Sequence, residues 1–187
     1  MSDPVLTGSR SLFASDRFIL AAERWSTVDG EIERPVIHHP GAVAILAQSD
    51  PSSVVLVRQF RYPARRWILE IPAGTRVPGE HPQATAVREL REEAGLSASG
   101  ISEILRFLPA VGVSDEELII YRATGLSEIA AAPEPGELVR REVVSLVDLP
   151  GLWRQGLICD AKTMIACQLL GVDILSPHKQ ISEESTG

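Results

Sequence analysis

Short apolar runs typical of β-strands recur along the chain and are separated by polar or glycine-containing turns. The runs at 18–25 and 31–38 flank Asp29-Gly30, a dipeptide that favours a tight turn, so we predict an antiparallel hairpin there. Further runs have the same strand character: 42–47, 54–59, 67–71, 101–108, 118–123 and 142–147. The pattern therefore predicts a chain built mainly from β-structure.

Two segments follow helical spacing instead. Pro82 suits the first position of a helix, and Gly95 suits its end. Three apolar residues recur between them at helical spacing and are expected to face the core: Val87, Leu90 and Ala94. A second helix is predicted over 160–170. This order of elements favours an α/β fold in which helices pack on a mixed sheet.

Composition and charge exclude several classes of protein. The 187 residues suit one domain and carry a net charge of −7, which disfavours a nucleic-acid-binding protein. No apolar run approaches the roughly 20 residues of a membrane span, and the N-terminus lacks the features of a signal peptide. Cys159 and Cys167 lack the spacing of a metal site, which favours reduced thiols. We therefore expect a cytoplasmic protein that binds neither nucleic acids nor membranes.

The acidic segment 88–93 carries the candidate chemistry. Glu89 and Glu93 are four residues apart, so a helix directs them to the same side. Arg88 can pair with Glu92 one turn later, but it is not expected to neutralise Glu89 and Glu93 as well. A hard divalent cation would neutralise that pair, because Mg²⁺ prefers carboxylate oxygens. The alternative is an acidic helix face that is simply solvated.

This segment is part of a longer pattern that resembles the signature of the Nudix hydrolase family. That signature is Gly, five residues, Glu, seven residues, then Arg-Glu-apolar-x-Glu-Glu-x-Gly-apolar. The stretch from Gly74 through Glu80 to Leu96 matches every specified position. The resemblance implies an α/β/α sandwich with a mixed β-sheet. It also implies hydrolysis of a nucleoside diphosphate linked to another moiety, with Mg²⁺ or Mn²⁺ as cofactor.

The resemblance also implies roles for individual residues. It makes Glu89 and Glu93 metal ligands, and it makes Glu92 a further ligand within the catalytic set. Arg88 would orient these glutamates, and Gly74 would shape the loop before the helix.

The residues before the signature resemble one branch of the family. The segments 57–63 and 67–74 are similar to those of ADP-ribose pyrophosphatases and their nucleotide-sugar relatives. In that branch the backbone carbonyl before the first signature glycine, here that of Ala73, also contacts the metal. Arginines of the preceding strand and loop contact the substrate phosphates. Arg58 or Arg61 would do so here, since a guanidinium group matches phosphate oxygens.

The same branch commonly forms homodimers through its N-terminal strands, and the adenine pocket draws on both subunits. We accordingly expect residues 1–40 to form N-terminal strands that act as a dimerisation arm. Residues 41–175 would form the Nudix hydrolase domain, and 176–187 a polar tail. Trp25, within the arm, is either a substrate contact or a core residue.

The general base is expected outside the signature. In this branch a further acid comes from a loop that follows it, here 133–137. Glu137 stands where the family places a further metal-binding glutamate, and Glu134 is placed to act as the base. Glu116 is the alternative catalytic residue, and a solvated loop acid is the alternative reading of all three.

The expected reaction is metal-dependent hydrolysis of ADP-ribose to AMP and ribose 5-phosphate. ADP-ribose enzymes usually carry a proline fifteen residues after the signature, where this chain has Val111. Another nucleoside diphosphate sugar, such as GDP-mannose, is therefore the alternative substrate. A non-catalytic, nucleotide-sensing Nudix module is a remote alternative, because such proteins typically lose signature glutamates. This chain keeps them at 89, 92 and 93.

Overall fold

The computed structural model of the chain describes residues 2–133 and 136–175. Within these ranges the chain forms strands, three α-helices and a short 3-10 helix at Leu146–Asp148. The strands are β1 (Val5–Ala14), β2 (Ile19–Thr27), β3 (Gly30–His38), β4 (Ala42–Ala47), β5 (Ser53–Arg61), β6 (Arg66–Glu70), β7 (Ala73–Thr75), β8 (Leu96–Phe107), β9 (Leu118–Glu128) and β10 (Val139–Ser145). The helices are α1 (Pro82–Ala94), α2 (Leu149–Arg154) and α3 (Ala161–Leu169).

The strands pair into three sheets. β1, β2 and β3 form an antiparallel N-terminal sheet, and β5 lies between β10 and β6 in a second antiparallel sheet. The third sheet has the order β7-β4-β9-β8 and is mixed, because β4 and β9 are parallel while the other pairs are antiparallel. The prediction of a mixed sheet is confirmed. No helix in the described ranges is long and apolar enough to cross a membrane.

Strand β4 lies at the centre of the core. It is buried along its whole length and directs alternate side chains into two hydrophobic clusters. Ala44 and Leu46 pack with residues of α2 and α3, whereas Val43 and Ile45 pack with Leu90 of α1. Helices therefore cover both faces of the central sheet, and the predicted α/β/α sandwich is confirmed.

Helix α1 begins and ends where its sequence signals predict. His81 caps the start by accepting a hydrogen bond from the Gln83 backbone N–H. Gly95 ends the helix with φ +62°, a left-handed conformation that favours glycine. The prediction that Val87 faces the core is wrong, because its side chain is 51% exposed. The buried arc of the helix is rotated away from it and includes Ala86 instead.

The predicted N-terminal hairpin is confirmed as β2 and β3, which pair across the turn at Asp29-Gly30. The sequence did not predict β1 or α2. Every residue of β1 is exposed, so the strand has no buried apolar face to mark it. Helix α2 is six residues long and contains Pro150 and Gly151, two residues that normally interrupt helices.

The loop between β8 and β9 holds the end of β3. His38 lies 2.6 Å from Asp115 through Nδ1 and 3.1 Å from Glu23 through Nε2. Next to it, the Ile37 N–H donates to the Val113 carbonyl at 2.9 Å. These contacts join the N-terminal sheet to the rest of the chain.

Candidate active site

A cavity of about 450 Å³ lies beside α1. Its wall is formed by the acidic side of α1, the end of β5, strand β7 with the turn that follows, the turn between β1 and β2, and Glu137. The volume falls within the roughly 300–1,000 Å³ typical of small-molecule sites. We therefore take this cavity as the candidate active site.

Two buried glutamates of α1 form the acidic wall of the cavity. Glu93 is 4% exposed and Glu89 is 8% exposed. The Ala73 N–H donates to Glu93 Oε2 at 2.9 Å. Burial disfavours the charged carboxylate, and it raises the pKa of Glu93 to about 8 and that of Glu89 to about 7. Positive charge close to the pair is needed to keep both groups ionised near neutral pH.

Strand β7 approaches α1 so closely that a side chain at position 74 would displace the Glu89 carboxylate. A Cβ atom on Gly74 would lie 2.0 Å from the Glu89 carboxylate, well inside any real contact distance. The backbone at Gly74 therefore forms a cradle that Glu89 fills. This contact fixes the distance between β7 and the acidic face of α1.

Arg88 contacts several acidic side chains at once. Its Nη1 lies 2.7 Å from Glu89 Oε1 and 2.9 Å from Glu92 Oε2, and its Nη2 lies 3.7 Å from Glu80. The predicted pair with Glu92 is present. The expectation that Arg88 would not also neutralise the pair of Glu89 and Glu93 is wrong for Glu89, because the guanidinium group lies between the Glu89 and Glu92 carboxylates.

The donor set of the acidic wall fits a hard divalent cation. Glu89 and Glu93 offer carboxylate oxygens in a buried cradle where burial opposes their negative charge, and such oxygens are preferred ligands of Mg²⁺. Within the described part of the chain, no three His, Cys, Asp or Glu side chains are already arranged as a metal shell. Arg88 occupies the space between Glu89 and Glu92, so a cation would compete with its guanidinium group for these oxygens.

A second charged network holds Arg61 at the edge of the cavity. Glu70 is 1% exposed and accepts hydrogen bonds from Arg61 at 2.7 and 2.8 Å. Lys162 of α3 also contacts Glu70 and donates to Asp160 at 2.9 Å. Burial lowers the pKa of Lys162, but the charges of Asp160 and Glu70 outweigh burial and the net shift is upward. Sequence reasoning missed this network. The signal for it was Glu70, an acidic residue inside the apolar run 67–71, because a buried acid needs a partner.

The family comparison agrees with this geometry. The model of the NUDIX domain matches residues 37–161. This chain belongs to the Nudix family. An ADP-ribose pyrophosphatase of Bacillus subtilis (strain 168) is 40% identical over 140 residues, which cover 74% of this chain and 76% of that protein. A methanol dehydrogenase activator of Bacillus methanolicus is 37% identical over 149 residues, which cover 79% of this chain and 80% of that protein.

The fold of this Nudix chain also resembles a solved structure. The crystal structure of an ADP compounds hydrolase matches with a TM-score of 0.77, covering 91% of this chain and 94% of that one at 19% sequence identity. The likeness supports the predicted fold class. The family that the signature predicted is confirmed by the domain match.

Strand β5 of the Nudix domain separates the two arginines that were predicted to bind phosphates. Arg58 and Arg61 are three residues apart, and side chains at odd spacing lie on opposite faces of a strand. Arg61 lines the cavity, whereas Arg58 donates to Glu142 of β10 at 2.6 Å on the other face. Trp25 lies on β2, where its Nε1 donates to Glu23 at 3.2 Å. The substrate-binding roles of Arg58 and Trp25 stay predictions.

The three candidate bases lie in different places. Glu137 lines the cavity and its negative charge contributes to the raised pKa of Glu89. Glu116 lies 3.8 Å from His39 and is not among the residues that form the described cavity wall. Glu134 lies outside the described residues.

Sequence reasoning missed several residues of the cavity wall, among them Gln59, Arg76 and Arg17. Arg76 lies inside the Nudix signature, but at a position that the signature leaves unspecified. No local pattern marks Arg17, because the packing of the β1–β2 turn brings it to the cavity. The face of β5 that carries Gln59 depends on strand pairing, which the sequence does not specify.

Proposed function

We propose that this Nudix protein is a metal-dependent hydrolase that cleaves the diphosphate bond of ADP-ribose to give AMP and ribose 5-phosphate. The observation that carries the proposal is the buried pair of Glu89 and Glu93 in the wall of a cavity, with Glu89 packed against Gly74. The choice of substrate is supported by the Bacillus subtilis relative, which is named ADP-ribose pyrophosphatase.

Mg²⁺ or Mn²⁺ is the proposed cofactor. Glu89, Glu93 and the backbone carbonyl of Ala73 would hold it, with Glu92 and Glu137 as further ligands. A divalent cation bound there would polarise a phosphoryl oxygen and lower the pKa of a bound water.

Side chains of the protein would accept the proton of the attacking water and position the acidic residues of the site. A water oxygen attacks one phosphorus atom, a glutamate accepts the water proton, and the other phosphate leaves with the bridging oxygen. Glu134 and Glu137 are the proposed catalytic residues of the loop between β9 and β10, with Glu134 as the general base. Glu116 is the alternative catalytic residue. Arg88 positions Glu89 and Glu92 through the contacts described above.

A second candidate function is hydrolysis of another nucleoside diphosphate sugar, such as GDP-mannose. It is favoured by Val111, which stands where ADP-ribose enzymes usually carry a proline. A non-catalytic nucleotide-sensing module is disfavoured, because the signature glutamates are present and line the cavity.

We further propose that the protein works as a cytoplasmic homodimer in which residues 1–40 form the dimerisation arm and 41–175 the hydrolase domain. The exposed apolar residues of β1, among them Leu6 and Phe13, support this role for the arm. Both cysteines are free thiols, as expected in a reducing compartment.

The acidic net charge supports a small diphosphate rather than nucleic acid as the binding partner. The tail predicted over 176–187 lies outside the described residues.

A panel of diphosphates tests the proposed activity. ADP-ribose, GDP-mannose, UDP-glucose and a dinucleotide are incubated with Mg²⁺ or Mn²⁺, and the products are identified by chromatography. The expected result is that ADP-ribose is cleaved fastest, to AMP and ribose 5-phosphate. Faster cleavage of GDP-mannose would favour the second candidate, and no cleavage of any diphosphate would overturn the hydrolase proposal.

Variants of the acidic wall test the metal site in the same assay. Glu93→Gln and Glu89→Gln should each lose most turnover, because the amide keeps the volume and loses the charge that binds a hard cation. Their thermal unfolding midpoints should not fall. Glu33→Gln, at an exposed position of β3, is the matched control. Near-normal turnover in both wall variants would remove the metal-site assignment.

A further inference from the structure

Two of the arginines in the cavity wall, Arg17 and Arg76, differ from the others in their charge environment. Arg61 is bound by the buried carboxylate of Glu70, and Arg88 is bound by glutamates of α1. Within the residues that the structure describes, neither Arg17 nor Arg76 makes an ion pair. The guanidinium groups of these two residues are therefore not tied to a carboxylate by direct contact, although the cavity wall also carries acidic side chains.

Arg76 is held firmly by the strand next to it. Its backbone N–H donates to the Gly41 carbonyl at 3.0 Å, which extends the pairing of β7 with β4 by one residue. The side chain packs over Gly41 so closely that a Cβ atom there would lie 3.2 Å from Arg76 Nη1. The Nε atom of Arg76 is buried and has no hydrogen-bond acceptor among the described residues. A buried donor without an acceptor is costly, and the negative charge of an anion next to the guanidinium group would offset part of that cost.

The position of Arg76 places it close to the proposed metal site. It follows Gly74 by two residues on an extended segment, so the two residues share a face and their Cα atoms are about 7 Å apart. Gly74 contacts the Glu89 carboxylate. The Arg76 side chain therefore starts within one side-chain length of the acidic wall.

Arg17 reaches the cavity from the N-terminal sheet. Ser15 Oγ accepts hydrogen bonds from the backbone N–H groups of Arg17 and Phe18, both at 3.2 Å, and thereby orders the β1–β2 turn. This turn forms part of the cavity wall. Arg17 is exposed, so its charge lies at the rim rather than in the depth of the site.

We propose that Arg76, assisted by Arg17 at the rim, binds phosphate oxygens of the substrate. The inference rests on the proposed function in taking the substrate to be a diphosphate. A guanidinium group forms strong charge-assisted hydrogen bonds with phosphate oxygens, and it does so best when no carboxylate competes for it. Arg76 satisfies this condition, whereas Arg61 is committed to Glu70 and Arg58 lies on the other face of β5.

Binding and kinetics of Arg76→Gln test the proposal. The probe for binding is an ADP-ribose analogue in which a methylene group replaces the bridging oxygen, titrated calorimetrically with Mg²⁺ present. We expect the Kd of the analogue and the KM for ADP-ribose to rise by about tenfold or more, with kcat changed less than about threefold. Arg76→Lys should recover part of the affinity, and adding Arg17→Gln to Arg76→Gln should weaken binding further.

The matched control is Arg91→Gln, which removes an exposed arginine of α1 that does not line the cavity. It should leave the Kd and KM unchanged, and adenosine, which has no phosphate, should bind wild type and Arg76→Gln equally. Unfolding midpoints of all variants check that they fold. An unchanged Kd and KM in folded Arg76→Gln would overturn the proposal while the hydrolase function stands.

A binding test that does not depend on hydrolysis distinguishes a failure of the phosphate-binding role of Arg76 from a failure of the proposed function. A wild-type protein that does not cleave ADP-ribose overturns the function, yet titration with inorganic diphosphate still tests Arg76. Weaker binding of inorganic diphosphate to Arg76→Gln would support the anion-binding role. Equal binding to both proteins, or no binding to the wild type, would overturn it.

Discussion

Two buried carboxylates near the cavity are stabilised in different ways. Glu70 is surrounded by the positive charges of Arg61 and Lys162, so its own charge is already offset. Glu93 accepts a hydrogen bond from the Ala73 N–H, and burial raises its pKa to about 8. A carboxylate that is buried without sufficient compensation favours a proton or a cation. At the scale of single residues, Glu70 therefore stabilises the wall, while Glu93 fits its proposed role as a metal ligand.

The two glutamates of the loop between β9 and β10 should have different roles, one as the general base and the other in metal binding. If Glu134 is the base, Glu134→Gln should lower kcat by ~10²–10⁴-fold with little change in metal affinity. Glu137→Gln should instead weaken the dependence of turnover on metal concentration, because its side chain lines the cavity next to Glu89. Steady-state kinetics over a metal titration measure both effects.

Glu116→Gln is the comparison for these two variants. Glu116 lies beside His39 rather than in the cavity wall, so its replacement should leave kcat and metal dependence close to normal. Full activity of both Glu134→Gln and Glu137→Gln, together with an inactive Glu116→Gln, would show that the base lies in the loop between β8 and β9.

At the scale of elements, the close contact between β7 and α1 should be needed for activity. Gly74→Ala would place a methyl group 2.0 Å from the Glu89 carboxylate, so the strand or the glutamate has to move. A displacement of about 1 Å at a catalytic centre lowers the rate by about 10²-fold, and we expect a loss of that size in kcat together with weaker metal binding. Kinetics and Mg²⁺ titrations measure the change.

Gly112→Ala is a matched control for that substitution. A Cβ atom on Gly112 would meet no other atom within 4 Å, so activity should be retained. Equal kinetics for the two alanine variants would mean that the glycine cradle is not required.

Helix α3 should owe much of its attachment to one buried ion pair. Lys162→Ala would leave the nearly inaccessible carboxylate of Glu70 with Arg61 as its remaining cation. The substitution should therefore cost less than the roughly 3–5 kcal/mol of stability lost when a buried charge has no partner, but clearly more than the loss of a surface pair. Arg140→Ala removes a 73%-exposed side chain from a surface pair and should cost about 0–1 kcal/mol. Urea denaturation compares the two variants, and an equal cost would contradict the structural role of Lys162.

Elements with local signals were predictable from the sequence, and elements defined by packing were not. Both ends of α1 were predicted because Pro82 and Gly95 act on the backbone directly. Strand β1 and helix α2 were missed, since β1 has no buried face and α2 contains residues that usually interrupt helices. The exposed position of Val87 shows the same limit, because the rotation of a helix depends on what packs against it.

At the scale of the whole molecule, the acidic half of the site was predictable and the basic half was not. The glutamates of the signature are close in sequence, so helical spacing brings them together. Arg17 and Arg76 come from distant segments and meet through tertiary packing. The choice between Arg58 and Arg61 depends on which face of β5 meets the cavity, and strand pairing decides that.

The attachment of the N-terminal sheet should depend on pH. The hydrogen bond with Asp115, reinforced by Glu23, raises the pKa of His38 above its ordinary value of 6.5. Its stabilising effect is therefore complete below pH 6.5 and is lost as the pH rises through the raised pKa of the folded state. Unfolding free energies measured across this range should fall for the wild type and change less for His38→Gln and Asp115→Asn. Identical slopes in the three proteins would contradict this account.

The same histidine links the proton concentration of the medium to the position of Arg17. His38 fixes one end of the N-terminal sheet, and the β1–β2 turn of that sheet carries Arg17 to the rim of the cavity. Loss of the proton weakens the attachment, and over the same range of pH the acidic wall becomes ionised, because the pKa values of Glu89 and Glu93 are about 7 and about 8. Mildly alkaline solution should therefore loosen the entrance to the site while the wall gains negative charge, so that the capture of substrate declines as the attraction for a cation grows.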